Sequence, residues 1–164
     1  MKKTIVIIIL AVYVASIAVV NFFGLEVSMF DGVTYVESIQ CDSVLFHGDN
    51  SKKLLPTQYV GKNGNIPLFI FEFIPNEDGG NYTSDADALD SNPNIIQINY
   101  EIFPHLADEA GIKFEYDENA GTAIFHELSS SFIFLKPNKM LTVTIKATDG
   151  SNVSTQVCIM GRYN

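Results

Sequence analysis

The stretch LTVTIKATDGSNVSTQVCIM, residues 141–160, alternates at every second position. Leu141, Val143, Ile145 and Ala147 fall on one face of an extended chain, and Thr142, Thr144 and Lys146 on the other. A period of two marks a strand buried on one side only. Asp149-Gly150, lengthened by Ser151-Asn152, is a hairpin dipeptide and leads into a second run at 154–160. Antiparallel strands with one apolar and one solvated face require a second layer to cover the apolar side.

The same pattern extends outward from this hairpin. Short β-branched or aromatic runs occur at 34–40, 43–47, 67–74, 94–103, 112–116, 122–126 and 131–135, separated by Gly, Pro, Asn and Asp. With the two hairpin strands this predicts nine strands in the region after Glu26, with no helical stripe. Ile96, Ile98, Tyr100 and Ile102 share one face, opposed by Gln97, Asn99 and Glu101. Phe69, Phe71 and Phe73 line another face and are expected in the core, each contributing about 1.5–3 kcal/mol if fully buried. Pro137-Asn138 and Asn119-Ala120-Gly121 mark further turns. The long irregular stretch, 76–92, is acidic and polar and is expected to be a mobile loop. An antiparallel β-sandwich is the economical architecture.

The amino-terminal end differs in kind. After Met1-Lys2-Lys3, 18 of the 22 residues at 4–25 are apolar, the exceptions being Thr4, Ser16, Asn21 and Gly24. As a helix this segment is about 33 Å long, enough to cross a hydrocarbon core of about 30 Å. Two readings stand. One is an uncleaved signal anchor, with Phe22 and Phe23 at the interface. The other is a secretory signal cut after Ser16-Ile17-Ala18, which would make the protein secreted. The lysines precede the apolar run, so the positive-inside rule puts the amino terminus in the cytoplasm and the rest of the chain outside.

The 164 residues carry 10 Lys+Arg against 19 Asp+Glu, a formal charge of -9. Setting Lys2 and Lys3 aside leaves 8 basic against 19 acidic residues, a net of -11 for the exported part. Nucleic acid and anionic headgroups both need a positive patch, so neither suits this surface as a partner.

Residues 95–159 resemble the bacterial immunoglobulin-like domains of cell-surface proteins, group 2, of the invasin and intimin type. The resemblance rests on Phe103-Pro104 with Ala107 and Ala110 beyond, on Phe114-Glu115-Tyr116, and on Ala123-Ile124-Phe125 with Phe132-Ile133-Phe134-Leu135. Its most specific part is the run from Val143 to Ser151. The chain departs from the family pattern at Leu135-Lys136-Pro137-Asn138 and in the 76–92 insertion. The layout also resembles small single-pass membrane proteins of Gram-positive bacteria. The resemblance implies an all-β chain in which a transmembrane signal-anchor helix at 1–26 precedes an extracytoplasmic Ig-like antiparallel β-sandwich at 27–164. It carries over no catalytic residues and no cofactor.

Cys41 and Cys158 are the only cysteines and fall in an early and the last predicted strand. First and last strands are commonly neighbours in Ig-like sandwiches, so the resemblance makes the pair a candidate disulfide. The other reading is two buried thiols acting as small hydrophobes. Asp85, Asp87 and Asp90, with Glu77, Asp78 and Asn92 nearby, form the densest oxygen-ligand cluster, a candidate Ca²⁺ site. The spacing departs from the EF-hand pattern at Leu89, with no Gly at the sixth position, and a solvated loop is the simpler reading. His47, His105 and His126 lack any zinc spacing, and Ser129-Ser130-Ser131 lacks the nucleophile-elbow glycines. Tyr35, Tyr59 and Tyr82 are candidate surface aromatics for a glycan or protein.

The expectation is a non-enzymatic, membrane-anchored module for adhesion, scaffolding or envelope protein interaction, with a protein or glycan partner at the cell envelope. The alternative is a secreted or anchored module that binds Ca²⁺ or glycan through 76–92.

Overall fold

Strand periodicity and turn chemistry act together in the computed structural model, which describes residues 34–48, 51–85, 89–107 and 111–163. The apolar segment 4–25, with its anchor and cleavage readings, lies outside the described residues. Among the described residues no helix is long and apolar enough to cross a membrane.

Ten strands form: β1 (Ser38–Phe46), β2 (Lys52–Leu54), β3 (Gln58–Val60), β4 (Ile66–Glu72), β5 (Ile95–Phe103), β6 (Ile112–Tyr116), β7 (Ala123–His126), β8 (Ser131–Phe134), β9 (Met140–Ala147) and β10 (Ser154–Arg162). They make two five-stranded sheets, in the orders β2-β1-β5-β8-β7 and β3-β4-β10-β9-β6. Neighbours run antiparallel except β4 and β10, which pair in parallel from Leu68 opposite Cys158 to Glu72 opposite Arg162. The architecture is a β-sandwich, as the alternation requires.

The core lies between the sheets. Val143, Ile145, Val157, Ile159, Ile96, Phe69 and Phe132 are fully buried within it. The Phe69, Phe71 and Phe73 face is buried as expected. Phe71 reaches across the core to the other sheet, with ring centroids 5.0 Å from both Phe46 and Phe134. Gly161 on β10 is small for a reason: a Cβ there would lie 2.7 Å from Phe71 Cζ.

Two differences from the expected strands have physical causes. The runs 34–40 and 43–47 are parts of a single strand, β1, whose register against β5 shifts between Gln40 and Ser43. Ile39 and Cys41 face the core before the shift and Val44 after it, so one extra residue moves the inward phase from odd to even positions. The broken alternation therefore marks a bulge within a strand. The short strands β2 and β3 escape the pattern altogether. Their six residues are exposed or half-buried, and each caps one edge of a sheet, where brevity, and in β2 its two lysines, discourage pairing with a second chain.

Turns follow their chemistry. At the β9–β10 hairpin Asp149 Oδ1 accepts from the backbone N–H (3.0 Å) and hydroxyl (2.7 Å) of Ser151. Its Oδ2 accepts from the Val36 N–H at 2.6 Å, which fastens the chain just before β1 to the hairpin. Asn138, at φ 57, takes the left-handed conformation that asparagine tolerates and donates its N–H to Gly161 O at 2.7 Å.

Candidate functional site

The described acidic residues of 76–92 do not converge on one point. Glu77, Asp78, Asn76, Asn81 and Tyr82 line a concavity of about 380 Å³. Asp85 lies outside that lining and accepts from Thr83 Oγ1 at 2.9 Å. Asp90 lines a different cleft, beside His126 and Ser129. Asp87 lies outside the described residues, and among those described no three His, Cys, Asp or Glu groups are placed to hold a metal ion.

Asn92 is drawn away from any ligand role by a buried network. Its Oδ1 accepts from both the backbone N–H (2.9 Å) and the Nδ2 (2.8 Å) of Asn94, and its Nδ2 donates to Phe134 O at 2.8 Å. Asn94 in turn spans the two sheets: its Oδ1 accepts from Ile74 N–H and its Nδ2 donates to Ile74 O, both at 2.8 Å. These paired amides satisfy backbone groups just past the end of β4, where the second sheet's ladder stops. The loop is also tied at Tyr82, whose N–H donates to Leu135 O at 3.0 Å. Tyr82 is therefore half-buried against Phe73, with ring centroids 6.2 Å apart, and is not the exposed aromatic its loop position suggests. Burial, with the Glu77 charge adding to it, raises its phenol above the ordinary value. Tyr35 and Tyr59 are exposed, as expected.

Cys41 and Cys158 are both buried free thiols. Cys41 points into the core from the first sheet. Cys158 stands between the core-facing Val157 and Ile159 on β10, so its Sγ is on the outer face of the second sheet, 3.4 Å from Thr142 Oγ1. Burial pushes the Cys41 thiol up to about 11; the nearby Asp42 charge adds to this and the Ser43 backbone contact opposes it.

The histidines are separate. His47 Nε2 lies 3.3 Å from Gln97 Oε1, and His105 packs on Phe103. His126 Nδ1 is 2.7 Å from Ser129 Oγ, which is 2.6 Å from Ser131 Oγ. This chain of contacts closes the turn Glu127–Ser129 that joins β7 to β8. The adjoining backbone donor, Ser130 N–H, is already bonded to Glu127 O, so it is not aimed at a developing oxyanion.

The most developed site was not visible as a motif. β6 and β7 are the edge strands of the two sheets on the same side of the sandwich, and between them opens a cleft of about 470 Å³. Its walls include Tyr100, Ile112, Phe114, Tyr116 and Phe125, with Lys113, Glu118, Glu127 and Ser130 around them. The rings are held from behind by Phe132, 4.9 Å from Phe125, 5.2 Å from Tyr116 and 6.0 Å from Phe114. The Tyr116 hydroxyl accepts from the Phe125 N–H at 3.2 Å, bridging β6 to β7 across the cleft floor. Lys113 is engaged by Glu115 at 3.6 Å. The sequence signal was the alternation Ile112, Phe114, Tyr116: its residues are only half-buried, because an edge strand at the sandwich mouth has a neighbour on one side alone. No known protein family, curated protein or solved structure matches the chain.

Proposed function

We propose that the chain is a non-enzymatic, Ig-like interaction module displayed on the outer side of the cell membrane and held there by its apolar amino-terminal segment. The observation that carries the Ig-like part of this reading is the strand order, whereas display and anchoring rest on the apolar segment 4–25 and the lysines before it. β1-β5-β8-β7 facing β4-β10-β9-β6, with the last strand parallel to a strand that precedes β5, corresponds to the ABED and GFC sheets of Ig-like sandwiches. In that correspondence the first Ig strand is divided between the sheets as β1 and β4, and β2 and β3 are the insertion between its halves. The net charge of -9 and the cleft at the β6–β7 side suit protein contact. Fold analogy supplies the step from sandwich to interaction module.

The test of display uses the buried state of both native thiols. A cysteine introduced at the exposed Lys53 (Lys53→Cys) gives the folded chain a single reactive thiol. A membrane-impermeant maleimide added to intact cells should label the membrane-bound variant. Labelling that appears only after lysis would overturn the reading, and labelled protein in the medium would replace the anchored form by the secreted one.

A second reading rests on the concavity beside Glu77 and Asp78, where 76–92 would take a glycan, or Ca²⁺ with carbonyl and amide oxygens completing a shell that the two carboxylates alone do not fill. It requires a rise in melting temperature at millimolar Ca²⁺.

A further inference from the structure

The β6–β7 cleft combines three features that act on the same kind of ligand. Its walls are aromatic: Tyr100 is 37% exposed, and Phe114, Tyr116 and Phe125 are half-buried, so ring surface stays open to a ligand. The rings are fixed by mutual packing, Phe114 lying 5.2 Å from Phe125 and 5.9 Å from Tyr100, so little side-chain freedom would be lost on binding. Glu118 and Glu127 stand at the cleft, both exposed, and the one ion pair among the described residues is Lys113 with Glu115. Among the charged residues that line the cleft, Glu118 and Glu127 against Lys113 leave a net charge of -1. An aromatic face attracts a cation through its quadrupole, and a carboxylate beside it completes the pairing. The planar guanidinium matches both partners better than an ammonium, since it stacks on rings and forks onto carboxylates.

We infer that the cleft between β6 and β7 takes an arginine side chain from a basic, extended segment of a partner protein. This rests on the interaction-module reading and gives it a partner class. The segment would lie along the sandwich mouth with its arginine over the Phe114 and Phe125 rings and its guanidinium toward Glu118 or Glu127. The surplus negative charge of the whole chain steers such a segment inward and becomes less effective as salt rises.

The probe is an acetylated and amidated Gly-Arg-Gly-Arg-Gly peptide, titrated calorimetrically into the full chain at low salt. Saturable binding is expected, weakened about 10-fold when citrulline replaces arginine, because the neutral isostere keeps the shape and loses the charge. Glu118→Gln and Glu127→Gln should each weaken it about 2- to 5-fold, whereas Glu72→Gln, on β4, should leave it unchanged. Equal binding of the citrulline peptide, wild-type affinity in both glutamine variants, or no heat at all would overturn the assignment. So would binding of an N-acetylglucosamine oligomer in place of the peptide, which would make the cleft a glycan site. Failure here with the Lys53→Cys label still accessible on intact cells would remove the arginine assignment and leave the display reading standing.

Discussion

Replacing Asn94 with alanine removes the amide that joins the two sheets at the end of β4. Ile74 then loses the acceptor for its N–H and the donor for its carbonyl, both bonds of 2.8 Å. Asn92 Oδ1 keeps the Asn94 backbone N–H but loses the Nδ2 donor. A buried backbone group left without a partner costs about 1–3 kcal/mol. Two such groups, both part-buried, give a loss of about 2–4 kcal/mol, a sizeable share of the 5–15 kcal/mol typical of a whole domain. Urea unfolding followed by circular dichroism reads this as a lower midpoint at unchanged slope. Asn119→Ala, at an exposed turn position, serves as the control and should stay within about 0.5 kcal/mol. Asn94→Asp keeps the acceptor for Ile74 N–H but turns an acceptor toward Ile74 O and Asn92 Oδ1, so the folded state favours its protonated form. Its folded pKa is then raised, and its stability should be greatest at acid pH and fall as pH rises through that pKa. The reasoning is refuted if Asn94→Ala unfolds within 0.5 kcal/mol of the wild type, or if Asn94→Asp shows no added pH dependence.

Gly161→Ala forces a methyl group to within 2.7 Å of Phe71 Cζ and 3.1 Å of Phe73, and should destabilise by about 1–3 kcal/mol in thermal melts; an unchanged melting temperature would show that the rings yield freely. Both thiols are buried, and burial also pushes Cys41 up to about 11, so a disulfide reagent should label neither native cysteine rapidly and both after denaturation. The Asp149 carboxyl is held below its ordinary range, chiefly by the Val36 N–H and then by the Ser151 hydroxyl. Its contribution to stability is present above the unfolded carboxylate pKa and is lost as pH falls through the lower folded one. Asp149→Asn should therefore flatten the acid limb of the stability profile and speed hydrogen exchange at the Val36 amide.

Strand alternation carried most of the fold because period-two burial is a local property: the 141–147 and 95–103 faces could be read without knowing what they pack against. β1 was legible as two runs and not as one strand, since the bulge at Gln40 and Ser43 flips the phase that the reading depends on. β2 and β3 left no signal, because an edge strand of three residues with only one half-buried side chain, Leu54 or Val60, shows no alternation to mark it. The candidate sites were less legible for a different reason. Asn92 looked like a loop ligand, and its burial depends on Phe134 and Asn94, contacts set by the packing of the two sheets. The aromatic cleft joins residues 100, 112–118 and 125–130, and only the pairing that places β6 and β7 on the same side brings them together.

The parallel pairing of β4 with β10 carries the Ig-like reading, and through it the proposed function. Nuclear Overhauser contacts across this pair test it directly. The account predicts a parallel register in which Phe69 faces Ile159 and Phe71 faces Gly161, with cross-strand contacts advancing together along both strands. Contacts that advance in opposite directions, or β10 paired with β9 alone, would contradict it.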